Sequence, residues 1–469
     1  MAVRGEGSGM YFVRQLPYEI ISKDRNGYFL RYADGTVIYF TNDEMKTVFK
    51  IPTEYSGVVL TEKEIEMLKK LKNHIFFYKR ASPKYVVVYK VTSGCNLQCK
   101  YCYEWANPEK IKIHGKMRVL DGILKKFGRG KLRLIFHGGE PLLYFDSLIL
   151  PFLKKHARKL TGKNPKLGAT LQTNGVLLRD MNFAKKVADA MDKYDLGVGV
   201  SLDGLKKHNW MRVKPDGTNA WDDTMQGICN MLDLGQSVGV ISVINDRSVK
   251  DMLKIVKFFD KTGVRGMRLN PLYPAGHPEV VKHAPDPDEY DKGLVKVMKW
   301  LVKRNTNGEE PMDISTISEI VDKMFGAITC VCSSVPCGAG NGFYAVEPNG
   351  EIRPCDHSDI VLGSVLDESW TPERAFDNKE LVEFMKNQVT RTKAFYNEEC
   401  SACPYRVYCQ CGGCPSFDYD IYGKSFGKRR GRICLKRTYE YIEKLMLNHE
   451  YDKLKALSPK IVGKNWDIR

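Results

Sequence analysis

The chain has 469 residues, which is more than one ordinary hydrophobic core accommodates, so two or three domains are predicted. With 43% hydrophobic and 11% aromatic residues, the composition excludes an intrinsically disordered chain. The formal net charge of +17 favours acidic partners. The densest basic stretch, residues 423–437, is nevertheless interpreted as a solvated face, because no RNA-binding aromatic motif accompanies it.

Targeting features and cysteine usage point to the cytoplasm. The opening residues lack the apolar stretch of a secretion signal, and no apolar run approaches the ~20 residues that a membrane helix needs. Fourteen cysteines in such a chain are expected to be reduced, and reduced thiols in clusters suggest metal sites rather than disulfides.

The first predicted unit, residues 1–85, is a small α+β unit without cysteine. Residues 27–41 form two β-rich runs around Ala-Asp-Gly and predict a hairpin. Residues 60–74 predict a helix with Thr61 as N-cap and Glu64 completing a capping box. The unit weakly resembles the small peptide-recognition domains that precede many peptide-modifying enzymes; an inert structural extension is the alternative.

A second unit, residues 86–310, alternates apolar strands with helical patterns. This alternation predicts a parallel sheet, and six strands at this spacing suit an open, partial (β/α)6 barrel. Glycine-rich and polar motifs follow the strands, where such barrels place their active sites. The predicted strands begin near residues 84, 131, 168, 196, 237 and 266.

Three cysteines, Cys95, Cys99 and Cys102, follow the first of these strands. A structural zinc ion normally takes four protein ligands, and no fourth Cys or His lies nearby in the sequence. A [4Fe–4S] cube held by three thiolates leaves one iron free for a small molecule. The spacing therefore favours such a cluster, with zinc and a distant fourth ligand as the alternative.

This C-x3-C-x2-C motif, with Tyr101 before the third cysteine, resembles that of the radical S-adenosylmethionine (SAM) enzymes. The resemblance covers roughly residues 86–305. It implies that the SAM amino and carboxylate groups bind the free iron and that Tyr101 packs near the adenine. It further implies an external electron donor, such as flavodoxin or ferredoxin, and reductive cleavage of SAM to methionine and a 5′-deoxyadenosyl radical that abstracts hydrogen from a substrate.

Later strand ends extend the resemblance. "HGGEP" is similar to the segment that lines the SAM amino group, and polar residues of "QTNG" and "SLDG" would face the ribose and carboxylate. An arginine would pair with the SAM carboxylate. The alternatives are a plain tight turn for the glycines and a surface salt bridge for the arginine. The residues implied are Gly138, Gly139, Glu140, Asn174, Ser201 and Arg212.

The third predicted unit, residues 311–440, is dense in cysteine, and residues 441–469 form a tail. Its pattern resembles the SPASM domain, an extension of radical SAM enzymes with two auxiliary [4Fe–4S] clusters; a pair of zinc ribbons is the alternative. The stretch "CQCGGC" departs from the family spacing, so Cys411 competes with Cys409, as Cys330 does with Cys332. The implied ligands are Cys332, Cys337, Cys355, Cys400, Cys403, Cys409, Cys414 and Cys434.

Asp356 directly follows Cys355 in "PCDH", which resembles a Cys-Asp-His stretch of anaerobic sulfatase-maturing enzymes. There the aspartate acts as a base during substrate oxidation. A carboxylate beside a cluster would take the proton released when a substrate radical loses its electron. The alternative is an aspartate that caps a turn or hydrogen-bonds His357.

Together these patterns predict an α/β protein in which a partial (β/α)6 barrel lies between a small α+β unit and a cysteine-rich iron–sulfur domain. The resemblance implies a maturase that modifies a peptide or protein side chain, with three [4Fe–4S] clusters and SAM. The alternatives are a formylglycine-forming sulfatase maturase, an iron–sulfur assembly or electron-transfer protein without radical chemistry, and radical modification of a small molecule or RNA. Neither nucleic acid nor a membrane is an expected partner.

Overall fold

A computed structural model gives the fold of most of the chain. The predicted helix of residues 60–74 falls outside the described part except for its first two residues, which end a strand. The described residues are 8–15, 18–23, 25–32, 37–50, 56–61, 75–78, 85–128, 130–162, 165–272, 280, 282–324, 338–384, 405, 434–448 and 450–458.

Two small antiparallel sheets form from the N-terminal residues. One has the order β5-β1-β6 and the other the order β2-β3-β4. The predicted hairpin is confirmed, because Gly27 pairs with Thr41 and Arg31 with Val37. The elements are β1 (Ser8–Gln15), β2 (Tyr18–Lys23), β3 (Gly27–Tyr32), β4 (Val37–Thr41), α1 (Asn42–Val48), β5 (Ser56–Thr61) and β6 (Ile75–Tyr78).

The predicted parallel sheet is confirmed. Six strands follow one another in spatial order as they do in the chain, and each pairs in parallel with the next. The alternation runs beyond the expected end near residue 310, since a two-residue strand joins the edge and a helix follows it. The strands are β7 (Tyr85–Thr92), β8 (Leu132–Gly138), β9 (Leu167–Thr173), β10 (Leu196–Ser201), β11 (Gly239–Ile244), β12 (Gly266–Pro271) and β13 (Asp313–Ile314).

Helices follow the strands and cover the sheet with apolar faces, which is why β7 is buried along nearly its whole length. The helical segment after β8 is divided into a π-turn, Phe145–Ile149, and two short helices. Pro151 lacks the N–H that would continue the regular bonding there. The helices are α2 (Met117–Phe127), α3 (Leu150–Lys155), α4 (Ala157–Thr161), α5 (Met181–Tyr194), α6 (Trp221–Asp233), α7 (Met252–Thr262), α8 (Pro287–Asn305) and α9 (Ser315–Met324).

The sheet continues into the C-terminal third of the chain. The strand β14 (Phe343–Val346) pairs in parallel with β7 on the side away from β8. It is followed by antiparallel β15 (Glu351–Arg353) and β16 (Gly363–Ser364). These strands place the segment after β15, which contains Asp356, beside the first strand of the parallel sheet.

The last described helices, α10 (Lys436–Leu447) and α11 (Tyr451–Leu457), pack against the helices of the parallel sheet. The buried Asp291 of α8 accepts hydrogen bonds from the Thr438 amide and hydroxyl at 3.0 and 2.6 Å. In the part of the chain that the structure describes, no helix combines the length and apolarity needed to cross a bilayer.

Candidate active site

The three cysteines of the first motif lie together in the loop after β7. Cys95 is 7% exposed, and Cys99 and Cys102 are partly buried. All three pack in one small apolar cluster with Leu97 and Ala220. The loop therefore brings the predicted thiols into one sheltered place at the carboxyl end of the first parallel strand.

Backbone hydrogen bonds fix this loop on both sides. The Cys95 amide donates to the Asn107 carbonyl at 3.1 Å, and the Lys100 amide donates to the Met211 carbonyl at 2.8 Å. Since Met211 lies more than 100 positions after Lys100, the cysteine loop is held by the fold and not by its own sequence alone.

The environment of the thiols suits a metal cluster. Burial raises the pKa of Cys95 to about 12 and that of Cys99 to about 11, and burial also raises the pKa of Cys102. Thiolates at these positions therefore need a positive partner, which bound metal supplies. Among the described residues, no three His, Cys, Asp or Glu side chains converge on a single-ion site. Each cysteine of a cube binds a different iron, so such convergence is not needed.

The glycines of "HGGEP" allow close packing against this loop. Gly138 has a φ of 109°, in the region that favours glycine. A Cβ atom on Gly139 would lie 1.9 Å from the Gly94 carbonyl oxygen. The Glu140 amide donates to the same oxygen at 2.9 Å. Only glycine lets the end of β8 approach the backbone before Cys95 this closely.

Glu140 joins the ends of β8 and β9. Its fully buried carboxylate accepts hydrogen bonds from the Leu142 amide at 2.9 Å, the Thr173 hydroxyl at 2.7 Å and the Asn174 amide at 2.8 Å. Burial raises the pKa of Glu140, while these donors lower it. We call Glu140, Thr173 and Asn174 the Glu140 frame. These contacts hold the ends of β8 and β9 together.

Asn174 connects the Glu140 frame to the cysteine loop. Its side-chain amide donates to Asn96 Oδ1 at 2.7 Å and points at Cys95 Sγ, 3.6 Å away. Within the same sheet, the side-chain amide of Gln172 in β9 donates to the Ser201 hydroxyl in β10 at 3.0 Å. Asn174 thus lies at the thiols, and Ser201 lies one strand further along the same edge of the sheet.

Tyr101 and Arg212 are joined by a residue that sequence analysis did not select. The Tyr101 hydroxyl donates to Asp203 at 2.6 Å and accepts from an Arg212 guanidinium nitrogen at 2.9 Å. Arg212 is 7% exposed, so the surface salt bridge considered above is excluded. Its Nε has no hydrogen-bond partner among the described residues. Asp203 lies in the motif "SLDG" directly after β10, and this position at a strand end was the only signal for it in the sequence.

Asp356 faces the cysteine loop from the C-terminal strands. The hydroxyl of Tyr103, the residue after Cys102, donates to Asp356 Oδ2 at 3.2 Å. The Tyr103 ring lies against His357, with centroids 4.1 Å apart, and stacks more distantly on His137. Asp356 therefore contacts the residue next to Cys102, a predicted cluster ligand, although more than 250 positions separate Tyr103 and Asp356 in the sequence.

The charge around Asp356 keeps it ionised. Burial would raise the pKa of this carboxyl, but His357, His137 and Lys90 together hold it below its usual range. Burial in turn lowers the pKa of both histidines. The site therefore combines an aspartate anion with imidazoles that stay neutral near pH 7.

A buried lysine, Lys90, links the cysteine loop to the C-terminal strands. Lys90 in β7 is 8% exposed, and its Nζ lies 3.1 Å from Glu104 and 2.9 Å from Glu347. Burial raises the pKa of Glu104 to about 7, against the effect of Lys90. We call Lys90, Glu104, Glu347 and Asp356 the Asp356 flank. A lysine inside the apolar run "YVVVYKV" was a signal for it, because a buried charge requires partners.

The other predicted cluster ligands cannot all be placed. Cys355 is buried and Cys434 is exposed. Six ligands and the two competing cysteines lie outside the described residues: Cys332, Cys337, Cys400, Cys403, Cys409 and Cys414, with Cys330 and Cys411.

Comparison with known protein families identifies the part of the chain that contains the cysteine loop. Residues 89–259, from β7 into α7, match the Radical SAM superfamily. The chain carries a radical SAM domain. Such a domain implies a [4Fe–4S] cluster and SAM, and the three clustered thiols beside Asn174 fit both.

The chain is homologous to the anaerobic sulfatase-maturing enzymes and, like them, is an enzyme. It is 26% identical to a cysteine-type anaerobic sulfatase-maturating enzyme of Clostridium perfringens, over 71% of this chain and 89% of the relative. It is 24% identical to a serine-type enzyme of Bacteroides thetaiotaomicron, over 71% of this chain and 83% of the relative.

Solved structures share the fold. Native anSMEcpe with bound AdoMet superposes with a TM-score of 0.59 at 22% identity, over 80% of this chain and 99% of that one. Streptococcus suis SuiB bound to precursor peptide SuiA superposes with a TM-score of 0.50 at 16% identity, over 90% and 98%.

Proposed function

We propose that this enzyme is a radical SAM/SPASM maturase that modifies a side chain of a peptide or protein. One observation carries the proposal: Asp356 of the C-terminal strands lies 3.2 Å from Tyr103, directly after Cys102. A base is thereby held beside the loop where the radical would form. An iron–sulfur assembly or electron-transfer protein would need no such carboxylate.

The residues of the first site have distinct roles in this proposal. Cys95, Cys99 and Cys102 hold a [4Fe–4S] cluster, which supplies the electron for SAM cleavage. Arg212 binds the SAM carboxylate through the Nε that the described protein leaves unpaired, and Asp203 with Tyr101 sets its orientation. Further contacts to SAM come from Gly138, Gly139, Glu140, Asn174 and Ser201. The six strands β7–β12 curve into a partial barrel.

The remaining cysteines hold two auxiliary clusters, giving three per chain. Cys355 and Cys434 are two of the eight ligands, and the rest are those named from the SPASM pattern. Cys355 is buried directly before Asp356, so an electron acceptor and a proton acceptor would lie side by side. Oxidation of a carbon radical is easier when a proton leaves a neighbouring atom at the same time.

Two kinds of observation support a peptide substrate. Structures of relatives with the same fold hold peptides, namely anSMEcpe with Cp18Cys peptide and SuiB with precursor peptide SuiA. The small N-terminal sheets precede the radical SAM domain and are proposed to contact the substrate. Among maturases, the sulfatase type, which forms formylglycine, is the second candidate, favoured by the homology and by Asp356 in "PCDH".

The cluster assignment is tested by iron content and SAM cleavage. Anaerobically reconstituted enzyme should hold about twelve irons, and replacing Cys95, Cys99 and Cys102 with Ala should remove about four. The reduced native enzyme should release 5′-deoxyadenosine and the variant should not. Full iron in the variant would contradict the assignment, and 5′-deoxyadenosine from the variant would place the chemistry elsewhere.

The two candidate functions can be distinguished by the peptides that the enzyme modifies. A sulfatase-derived peptide with Cys or Ser at the target position should gain formylglycine only if the second candidate is correct. Mass spectrometry of that peptide, together with small peptides encoded beside this chain, decides between them.

A further inference from the structure

Two exposed cations share one tryptophan at the carboxyl ends of the parallel strands. The guanidinium carbon of Arg247 lies 4.0 Å from the centre of the Trp210 ring, and Lys100 Nζ lies 5.4 Å from it. Lys100 belongs to the cysteine loop, whereas Arg247 follows β11. We call Lys100, Trp210 and Arg247 the Trp210 site. The indole thus gathers two positive charges from distant parts of the chain.

The two cations have no acidic partner in the part of the chain that the structure describes. Asp246 precedes Arg247, but its carboxylate accepts a hydrogen bond from His283 Nδ1 at 2.9 Å. The His283 ring stands edge-on to Trp210, with centroids 4.8 Å apart. The only acid placed at the site is therefore already engaged, and the site keeps an excess of positive charge.

Stacking leaves the Arg247 guanidinium prepared for a carboxylate. An arginine held against an aromatic face keeps the N–H groups at its edge free, and these form a planar fork that matches a carboxylate. The backbone beneath it is fixed, because the Arg247 amide donates to Oδ1 of the fully buried Asn245 at 2.9 Å. The Asp246 amide donates to the His283 carbonyl at 3.0 Å. Lys100 adds a second charge to this fork.

The Trp210 site lies beside the proposed SAM pocket but does not suit SAM itself. Trp210 is two positions before Arg212, and it packs near Tyr101 on one small apolar cluster. In the proposed function, Arg212 already binds the SAM carboxylate. The rest of SAM carries positive charge on its sulfonium and amino groups and none that is negative. Two further cations therefore need an anion from another ligand.

The distance to Asp356 fits a peptide that crosses the sheet. Asp356 lies at the end of β7, and Arg247 follows β11, four strands further along. Four strand spacings amount to at most about 19 Å along the sheet, which an extended peptide covers in about six residues. One peptide can thus reach the base with one residue and the two cations with another.

We propose that the Trp210 site binds an acidic side chain of the substrate peptide, within about six residues of the residue that is modified. The inference rests on the proposed function, because it requires a peptide that reaches Asp356. The ligand is the carboxylate of an aspartate or glutamate, which the Arg247 fork and the Lys100 ammonium bind. No bond is made or broken there; the site orients the peptide.

Binding of a probe peptide is the first test, and it needs no turnover. The probe is a fluorescein-labelled octapeptide of alternating Gly and Glu, and its reference carries Gln in place of Glu. Fluorescence anisotropy with the reconstituted enzyme at low salt should give a dissociation constant at least about tenfold lower for the Glu peptide.

Variants locate that binding on the molecule. Arg247→Met with Lys100→Met should weaken binding of the Glu peptide at least about fivefold. Arg247→Lys keeps the charge but not the planar fork, so its loss should be about two- to threefold. The matched control, Lys154→Met with Lys159→Met, removes the same charge at exposed positions of α3 and α4 and should lose less than about twofold.

The cofactor provides the second test. The double variant should bind SAM in equilibrium dialysis, and release 5′-deoxyadenosine with dithionite, as the native enzyme does. A double variant that binds the Glu peptide normally but SAM less tightly assigns the two cations to the cofactor and overturns the proposal.

Each other outcome is also decisive. Equal losses in the double variant and the matched control contradict a specific site, since the net charge of +17 would then explain the binding. A native enzyme that binds the Glu and Gln peptides equally contradicts an acidic ligand. A native enzyme without dithionite-driven SAM cleavage contradicts the proposed function, whereas the peptide measurements still decide whether the Trp210 site binds carboxylates.

Discussion

The Glu140 frame and the Asp356 flank contact the same cysteine loop at different residues and are built on different principles. In the frame, one buried carboxylate accepts three hydrogen bonds from neutral donors and has no ion-pair partner in the described residues. In the flank, one buried lysine holds two carboxylates, and a third stands beside neutral histidines.

Under the proposed function, the difference follows from the roles of the frame and the flank. Positioning a cofactor that is always the same requires fixed geometry, which short neutral hydrogen bonds provide. Completing a substrate oxidation requires a place for a proton, which a charged group supplies. Variants on the two sides should therefore separate SAM cleavage from product formation.

The largest effect is expected at Asp356. Asp356→Asn keeps the shape but cannot accept a proton, so product formation should fall by about 10²–10⁴-fold. SAM cleavage and hydrogen abstraction, followed as deuterium carried from labelled substrate into 5′-deoxyadenosine, should continue. Normal turnover would make Asp356 a turn cap, and loss of iron would make it a support of the auxiliary cluster.

Lys90→Met should destabilise the whole protein. It leaves Glu104 buried without its cation, whereas Glu347 keeps Arg353 at 3.2 Å. Breaking a buried pair of this kind costs about 3–5 kcal/mol. Thermal unfolding of the reconstituted enzyme measures the loss. Adding Glu104→Gln should recover part of it, because one uncompensated charge is removed. If Lys90→Met were as stable as the native enzyme, the carboxylates around Lys90 would have to be solvated by water rather than by the lysine.

Glu140→Gln tests the frame. An amide nitrogen would replace one acceptor that Asn174 or Thr173 now uses, at a cost of about 1–3 kcal/mol. Because the frame serves both steps, SAM cleavage and product formation should fall together by about tenfold or more. A loss confined to product formation would mean that the two sides are not separate.

The smallest effect is expected at Asp322, a buried carboxyl in α9 outside both sides. Burial raises its pKa to about 7, while the Ser458 hydroxyl donates to it at 2.5 Å. Its folded pKa exceeds the unfolded value near 4, so stability is lost as pH rises from about 4 to about 7. Asp322→Asn should therefore stabilise the protein at pH 8, by on the order of 1–2 kcal/mol, but not at pH 4. Equal melting temperatures at pH 8 would contradict the shift.

Sequence patterns predicted the parallel sheet because period-two and period-3.6 hydrophobicity are local properties. The strands β7–β12 each began within two residues of the expected position. The four-residue strand β14 gave no such signal, since its apolar residues also fit a loop in a cysteine-rich segment. Its partner β7 lies about 250 positions away, and no local pattern specifies a pairing of that separation.

The site residues also divide into those that a local motif predicts and those that only distant contacts reveal. Motif spacing was enough to select Cys95, Cys99 and Cys102, which the fold brings together. Asp203 was missed because its importance comes from Tyr101, about 100 positions earlier in the chain. Lys90 was visible as a charge in an apolar run, but a single sequence does not reveal its distant partner Glu347. Asp356 was selected from its neighbours in "PCDH", and its contact with Tyr103 was not foreseeable.

The pairing of β7 with β14 has a consequence during synthesis on the ribosome. At ~5–20 residues per second, β14 emerges on the order of 10–50 s after β7. Throughout that interval, the outer edge of β7 presents unpaired N–H and C=O groups that can pair with other chains. Chains that end before residue 343 keep this edge open permanently, so C-terminal truncations that remove only the cysteine-rich third should aggregate rather than yield an isolated radical SAM domain.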